Sequence, residues 1–170
     1  MRMIQMVGQM FLIGLCCFAL TGQAVADQLA DARNSGLAGD WAKAAKLYRL
    51  LAEQGNVEAQ INLGLMYEQG LGVLQDYKQA VKWQRLAAEQ GDFHGQLSLG
   101  VMYKIGEGVP QNYVLAHMWT NIAATNGNVI GSRNFIVEQR DDIAKHMTAK
   151  QIAEAQELAR KCTANKFKGC

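Results

Sequence analysis

From Asp40 onward the apolar positions recur at helical spacing, and glycines interrupt them at regular intervals. Ala59, Leu63, Met66 and Tyr67 share one face of a helix, which the spacing predicts from about Val57 to Gln69. Ala80, Trp83, Leu86 and Ala87 predict a second helix from about Tyr77 to Gln90. Asp76 is an N-cap by residue type, and Gln79 completes a capping-box pattern with it. Gly55-Asn56 and Gly91-Asp92 end the second kind of helix with glycine at the C-cap, and Gly70 and Gly72 make the turn inside the pair.

The same pattern then returns. Gly55–Gln90 aligns without a gap on Gly91–Asn126, with 15 of 36 positions identical. Leu63-Gly64-Leu65-Met66-Tyr67 meets Leu99-Gly100-Val101-Met102-Tyr103, and Gly70-x-Gly72-Val73 meets Gly106-x-Gly108-Val109. Trp41–Gln54 also matches Tyr77–Gln90 at seven of 14 positions. A fixed period of this size predicts stacked helix pairs. Gly64 and Gly100 fall in mid-helix, where glycine costs about 1 kcal/mol against alanine. Its recurrence at one register predicts close approach of the partner helix. Trp83, Trp119, Tyr67 and Tyr103 recur at packing spacing and read as core.

This arrangement resembles the Sel-1-like repeat, a relative of the tetratricopeptide repeat. The residues that carry the resemblance are Ala59, Leu63, Gly64, Tyr67, Gly70, Gly72, Val73, Asp76, Lys78, Ala80, Trp83, Ala87, Ala88 and Gly91. The resemblance implies an all-α fold, a right-handed α-solenoid of antiparallel helix pairs. The repeats should occupy residues 40–135. Residues 27–39 read as a degenerate N-terminal capping helix, in which Gly36 is in register with Gly72. Beyond Gly127, Phe135 takes the register of the repeat leucine and Ile136 that of the glycine, and residues 136–170 read as C-terminal capping helices and tail. Thr148-Ala149-Lys150-Gln151 is a capping box that opens a last helix running to about Lys161. Its narrow face of Ile152, Ala155, Leu158 and Ala159 suits the closing of an apolar solenoid end.

Residues 1–26 read as a signal peptide: Arg2, an apolar run from Met10 to Leu20, and an Ala24-Val25-Ala26 cleavage site. The run falls short of the ~20 residues of a spanning helix. The expected location is periplasmic or secreted. Cleavage leaves 16 Lys+Arg against 15 Asp+Glu, a net charge of +1 that gives no argument for nucleic acid or an anionic membrane. It also leaves two cysteines, Cys162 and Cys170, for which a tail disulfide is the default in an oxidising compartment and an intermolecular or free thiol the alternative.

Catalytic signatures are sparse. The three serines, Ser35, Ser98 and Ser132, begin no Ser-x-x-Lys and sit in no Gly-x-Ser-x-Gly. His94, His117 and His146 form no metal-ligand spacing, and His94 and His117 occupy variable repeat positions expected to face solvent or a partner. Neither metal nor cofactor is expected. The Gly-x-Gly pairs follow helices rather than strands and read as turns, not phosphate loops.

In the related tetratricopeptide fold the first helix of each pair lines a concave surface. By register, the candidate partner-binding residues are Glu58, Asn62, Leu65 and Gln69, then His94, Ser98, Val101 and Lys104. They differ between repeats while the packing residues recur. The expectation is a non-catalytic adaptor for a protein or peptide, reaching a membrane only through a partner complex. Two alternatives remain. One is a β-lactam-binding or hydrolysing enzyme, as in a cysteine-rich branch of the family whose intra-repeat disulfides are missing here. The other is a structural subunit of an envelope complex.

Overall fold

The computed structural model of the protein describes residues 22–126 and 133–170. The expected leader lies outside them up to residue 21. Its last five residues, 22–26, begin helix α1, which continues to residue 37. Seven more helices follow among the described residues: α2 Trp41–Glu53, α3 Val57–Gln69, α4 Tyr77–Glu89, α5 Phe93–Ile105, α6 Tyr113–Asn126, α7 Arg133–Ala144 and α8 Ala149–Ala164.

The helix starts are set by short polar side chains. Asp40, Asn56, Asp76 and Asp92 each accept a bond from a backbone N–H of the first turn. Two capping details differ from the sequence pattern. The Asp76 N–H is donated to the Tyr67 carbonyl at 2.9 Å, so the Gln79 side chain has no N-cap donor left to bond, and no capping box forms there. Gly55 and Gly91, both at φ +88°, stand one position beyond the C-caps Gln54 and Gln90. Asn56 and Asp92 then open the next helix. The box of Thr148 and Gln151 forms as the sequence predicts.

Each helix from α2 to α6 packs on the next, an α-solenoid of antiparallel pairs. One core lies between α1 and α4, around Leu51, Leu63 and Met66. A second spans α4 to α8, around Leu99, Met118, Trp119 and Ile122. Gly64 and Gly100 sit where the pair closes. A Cβ on Gly64 would lie 2.8 Å from Gln84 Nε2, and one on Gly100 2.4 Å from Thr120 Oγ1. Gly72 is tighter still: at φ +67° its Cβ would stand 2.1 Å from the Trp41 carbonyl oxygen, and Gly108 repeats this contact on Tyr77. The inner turn of each repeat thereby rests on the first turn of the preceding pair's second helix.

Polar side chains also recur. Gln60 and Gln96 donate to the Ala52 and Ala88 carbonyls at 3.2 and 3.3 Å and accept from Gln90 and Asn126. Arg49 and Arg85 donate to the Tyr67 and Tyr103 hydroxyls at 2.7 and 2.6 Å. The carbonyl and tyrosine bonds join each pair to the one before it, and the bonds from Gln90 and Asn126 tie together the two helices of a pair.

The C-terminal end breaks the pattern. Ile136, not Phe135, is buried at the start of α7 (1% against 54% exposed), so the register carried over from Leu99 is wrong here. A side chain as large as isoleucine packs into the core with Ala123 and Ala124 and excludes the close approach that Gly100 permits. Accordingly α8 docks on α6 through Ala155, Ala159 and Cys162. Cys162 and Cys170 are joined by a disulfide, with Cα atoms 5.6 Å apart.

Candidate binding surface

Because Asn56 and Asp92 start α3 and α5 at equivalent points, Glu58, Asn62 and Leu65 stand at the register of His94, Ser98 and Val101, whereas Gln69 and Lys104 are one position out of register. Their surroundings nevertheless differ between the two halves.

On α3, Asn62, Leu65 and Gln69 line one open groove of about 440 Å³. Glu58 stands at its edge, where its two carboxylate oxygens accept from Arg33 Nε and Nη2, both at 2.7 Å. That pairing holds the Arg33 guanidinium above its ordinary pKa, first by the hydrogen bond and then by charge attraction. Asn62 Nδ2 donates to the Glu58 carbonyl at 2.8 Å, which leaves its side-chain oxygen to accept from elsewhere. Leu65 is 37% exposed.

On α5 the four residues have different neighbours. The His94 ring lies against Phe93, with centroids 3.8 Å apart. Ser98 is half-buried and Val101 exposed. Lys104 is drawn onto α7, its Nζ 2.6 Å from Asp142 Oδ2. That hydrogen bond, joined by one from Lys145, holds the Asp142 carboxyl below its usual range.

The remaining walls of the groove come from residues outside the candidate set: Arg33, Gly36 and Leu37 of α1, Trp41 and Tyr48 of α2, and Met66 and Leu71. Burial holds the Tyr48 hydroxyl above its ordinary pKa, and Glu58 adds to this. Leu37 is 87% and Trp41 41% exposed. A signal for Trp41 was present in the repeat. At its register, Tyr77 and Tyr113 accept hydroxyl bonds from Gln75 and Gln111, whereas Trp41 follows Gly39 and has neither hydroxyl nor glutamine.

His117 corrects an expectation. It is buried (3% exposed), as Val81 is at the same register, and does not face solvent or a partner. Among the described residues its Nδ1 has no hydrogen-bond partner, and burial followed by the nearby Arg140 lowers its pKa, with Asp141 opposing. Trp83 and Trp119 are core, as predicted; Tyr103 is buried and Tyr67 half-buried. Among the described residues no cluster of His, Cys, Asp and Glu could hold a metal ion. No helix among them is long and apolar enough to cross a membrane.

The family described as the Sel1 repeat matches residues 35–56, 57–92 and 94–128. Among solved structures, the chain is similar to a protective antigen present in uropathogenic Escherichia coli strains that displays an SLR fold. The two are 33% identical with a TM-score of 0.75, over 84% of this chain and 31% of that one. It is also similar to a Sel1 repeat protein from Oxalobacter formigenes, 36% identical with a TM-score of 0.50, over 51% of this chain and 66% of that one. The chain thus spans about a third of the length of the Escherichia coli protein. Comparison with curated proteins gives no match.

Proposed function

The chain belongs to the Sel1 repeat family, and we propose that it is an exported, non-catalytic scaffold that binds a protein or peptide through the α3 and α5 faces. The observation that carries this reading is the contrast between frame and face. The glycine approaches, the Gln60/Gln96 bonds and the arginine–tyrosine bonds recur at 36-residue spacing. The outward positions change from Glu58, Asn62, Leu65 and Gln69 to His94, Ser98, Val101 and Lys104. A rigid repeated frame that presents varied side chains suits recognition of another chain.

Export is supported by the apolar run before Ala24-Val25-Ala26 and by a disulfide that suits an oxidising compartment. Cleavage after Ala26 removes Val25 from the N-terminal core and retains Leu29 and Ala32, which pack there as well.

The test is affinity capture from an envelope extract with the tagged protein, alongside the double variant Asn62→Lys, Ser98→Lys. The expected result is a partner held by the wild type and lost by the variant at unchanged melting temperature. Equal capture by both proteins overturns the surface assignment.

A further inference from the structure

We infer that the groove between α1, α2 and α3 is an anchor site for an uncharged, apolar peptide segment of the partner. The inference rests on the scaffold reading and specifies the chemistry of its ligand.

Three observations carry it. The first is the concentration of exposed apolar surface. Leu37, Trp41 and Leu65 are 87%, 41% and 37% exposed and line one groove of about 440 Å³. That volume is in the range of sites that enclose a ligand, roughly 300–1,000 Å³. Contiguous exposed apolar surface on a water-soluble face marks a contact site more often than isolated side chains do.

The second is charge. Among the residues lining the groove, Arg33 is the one charged side chain, and its Nε and Nη2 are paired with the Glu58 carboxylate at 2.7 Å. A charged ligand would meet a guanidinium already matched by Glu58 and would lie uncompensated against leucine and tryptophan, which costs free energy. An uncharged segment meets neither obstacle. The polar groups that remain are the amides of Asn62 and Gln69, which match the donors and acceptors of a peptide backbone.

The third is the difference between the two halves. One repeat on, Leu37, Trp41 and Leu65 correspond to Val73 and Tyr77, both half-buried, and to Val101. Helix α1 leaves Leu37 and Trp41 exposed beside α3. Gly36 allows this: the Trp41 ring lies where a Cβ on residue 36 would be 3.3 Å away, so the indole rests against the α1 backbone and forms a wall of the groove.

The fluorescence of Trp41 reads the site directly, because Trp83 and Trp119 are buried at 6% and 0%. The probes are capped peptides of Ser and Gly carrying Leu and Phe, each compared with versions bearing two Asp or two Lys. The expected result is a saturable blue shift with the neutral peptides, absent in Trp41→Phe. Its apparent Kd should change less than about twofold between 0.05 and 0.5 M NaCl, since no charge pair forms for salt to screen. Leu37→Asp and Leu65→Asp, both at exposed positions, should weaken binding about tenfold or more without lowering the melting temperature. Equal or tighter binding of the charged peptides overturns the inference. So does the absence of a shift with every neutral peptide, or a shift that appears without peptide on concentrating the protein to a dimer. If neutral peptides fail while the Asn62/Ser98 variant still loses a captured partner, the groove chemistry falls and the scaffold reading stands. If both fail, the scaffold reading falls too.

Discussion

Gly100→Ala separates helix propensity from packing. Glycine in the middle of α5 costs about 1 kcal/mol relative to alanine, so propensity alone makes the substitution stabilising. The tertiary contact opposes it. The new methyl would sit 2.4 Å from Thr120 Oγ1 and 3.3 Å from the Ala116 carbonyl oxygen. Thr120 is 1% exposed and its hydroxyl donates to that same carbonyl at 2.7 Å, so it cannot turn away without giving up the bond. Overpacking of this kind costs about 1–3 kcal/mol, and the lost hydrogen bond about 0.5–1.5 kcal/mol. Set against the propensity gain, the net expectation is destabilisation by about 1–3 kcal/mol, a melting temperature about 3–10 °C lower for a chain of this size. Removing the obstruction should reverse part of this. Gly100→Ala with Thr120→Ala should be more stable than the sum of the two single changes by at least about 1 kcal/mol. Gly64→Ala is the control. Its methyl meets Gln84 Nε2 at 2.8 Å, the far end of a flexible side chain whose own bond to the Ile61 carbonyl is long, 3.5 Å. Its cost should therefore be smaller than that of Gly100→Ala. Thermal and urea unfolding of the four variants measures all of this. A Gly100→Ala protein more stable than wild type, or strict additivity with Thr120→Ala, would refute the packing argument.

Gly72→Ala and Gly55→Ala share a left-handed backbone, φ +67° and +88°, but only Gly72 has a carbonyl 2.1 Å from the new Cβ. The Gly55 variant should lose about 1 kcal/mol and the Gly72 variant clearly more, or fail to fold, as urea midpoints will show. Reducing the Cys162–Cys170 disulfide, or substituting Cys170→Ser, should lower stability by at most ~2–3 kcal/mol, as befits so short a loop, measured as the change in melting temperature with and without reductant. His117 gives stability a pH dependence of known sign. Burial and Arg140 depress its folded pKa, so below the ordinary histidine value the unfolded chain takes up a proton that the folded chain resists. This contribution is complete above a pH of about 6.5 and is lost as the pH falls toward the folded value. His117→Val, which installs the residue type found at position 81, should flatten the melting temperature between pH 7 and 5.5. An unchanged slope would assign that dependence to other groups.

The period, the helix pairs and most of their ends are legible along the chain. Those features are local. Asn56 and Asp92 cap within one turn, Gly70 and Gly106 adopt the left-handed conformation at helix ends, and the apolar spacing of Ala59, Leu63 and Met66 needs no knowledge of the partner helix. The glycines of mid-helix were legible because the repeat states the same exception twice. Whatever depends on which helix comes next was settled by packing. Phe135 and Ile136 exchanged roles because α7 has no glycine to admit a close partner, and α8 therefore docked on α6. His117 was buried because the helices around α6 close over it, although its register looked variable. Gln79 lost its capping bond because the Tyr67 carbonyl, nine residues before Asp76, claimed the same N–H. The candidate site divided along the same line. Register placed Asn62, Leu65 and Gln69 on one face, and the α3 half of that reading has a groove behind it. The walls of that groove are Leu37 and Trp41, which precede the first full repeat. They become neighbours of Leu65 only when α1 and α2 fold against α3, a contact that no spacing along the chain encodes.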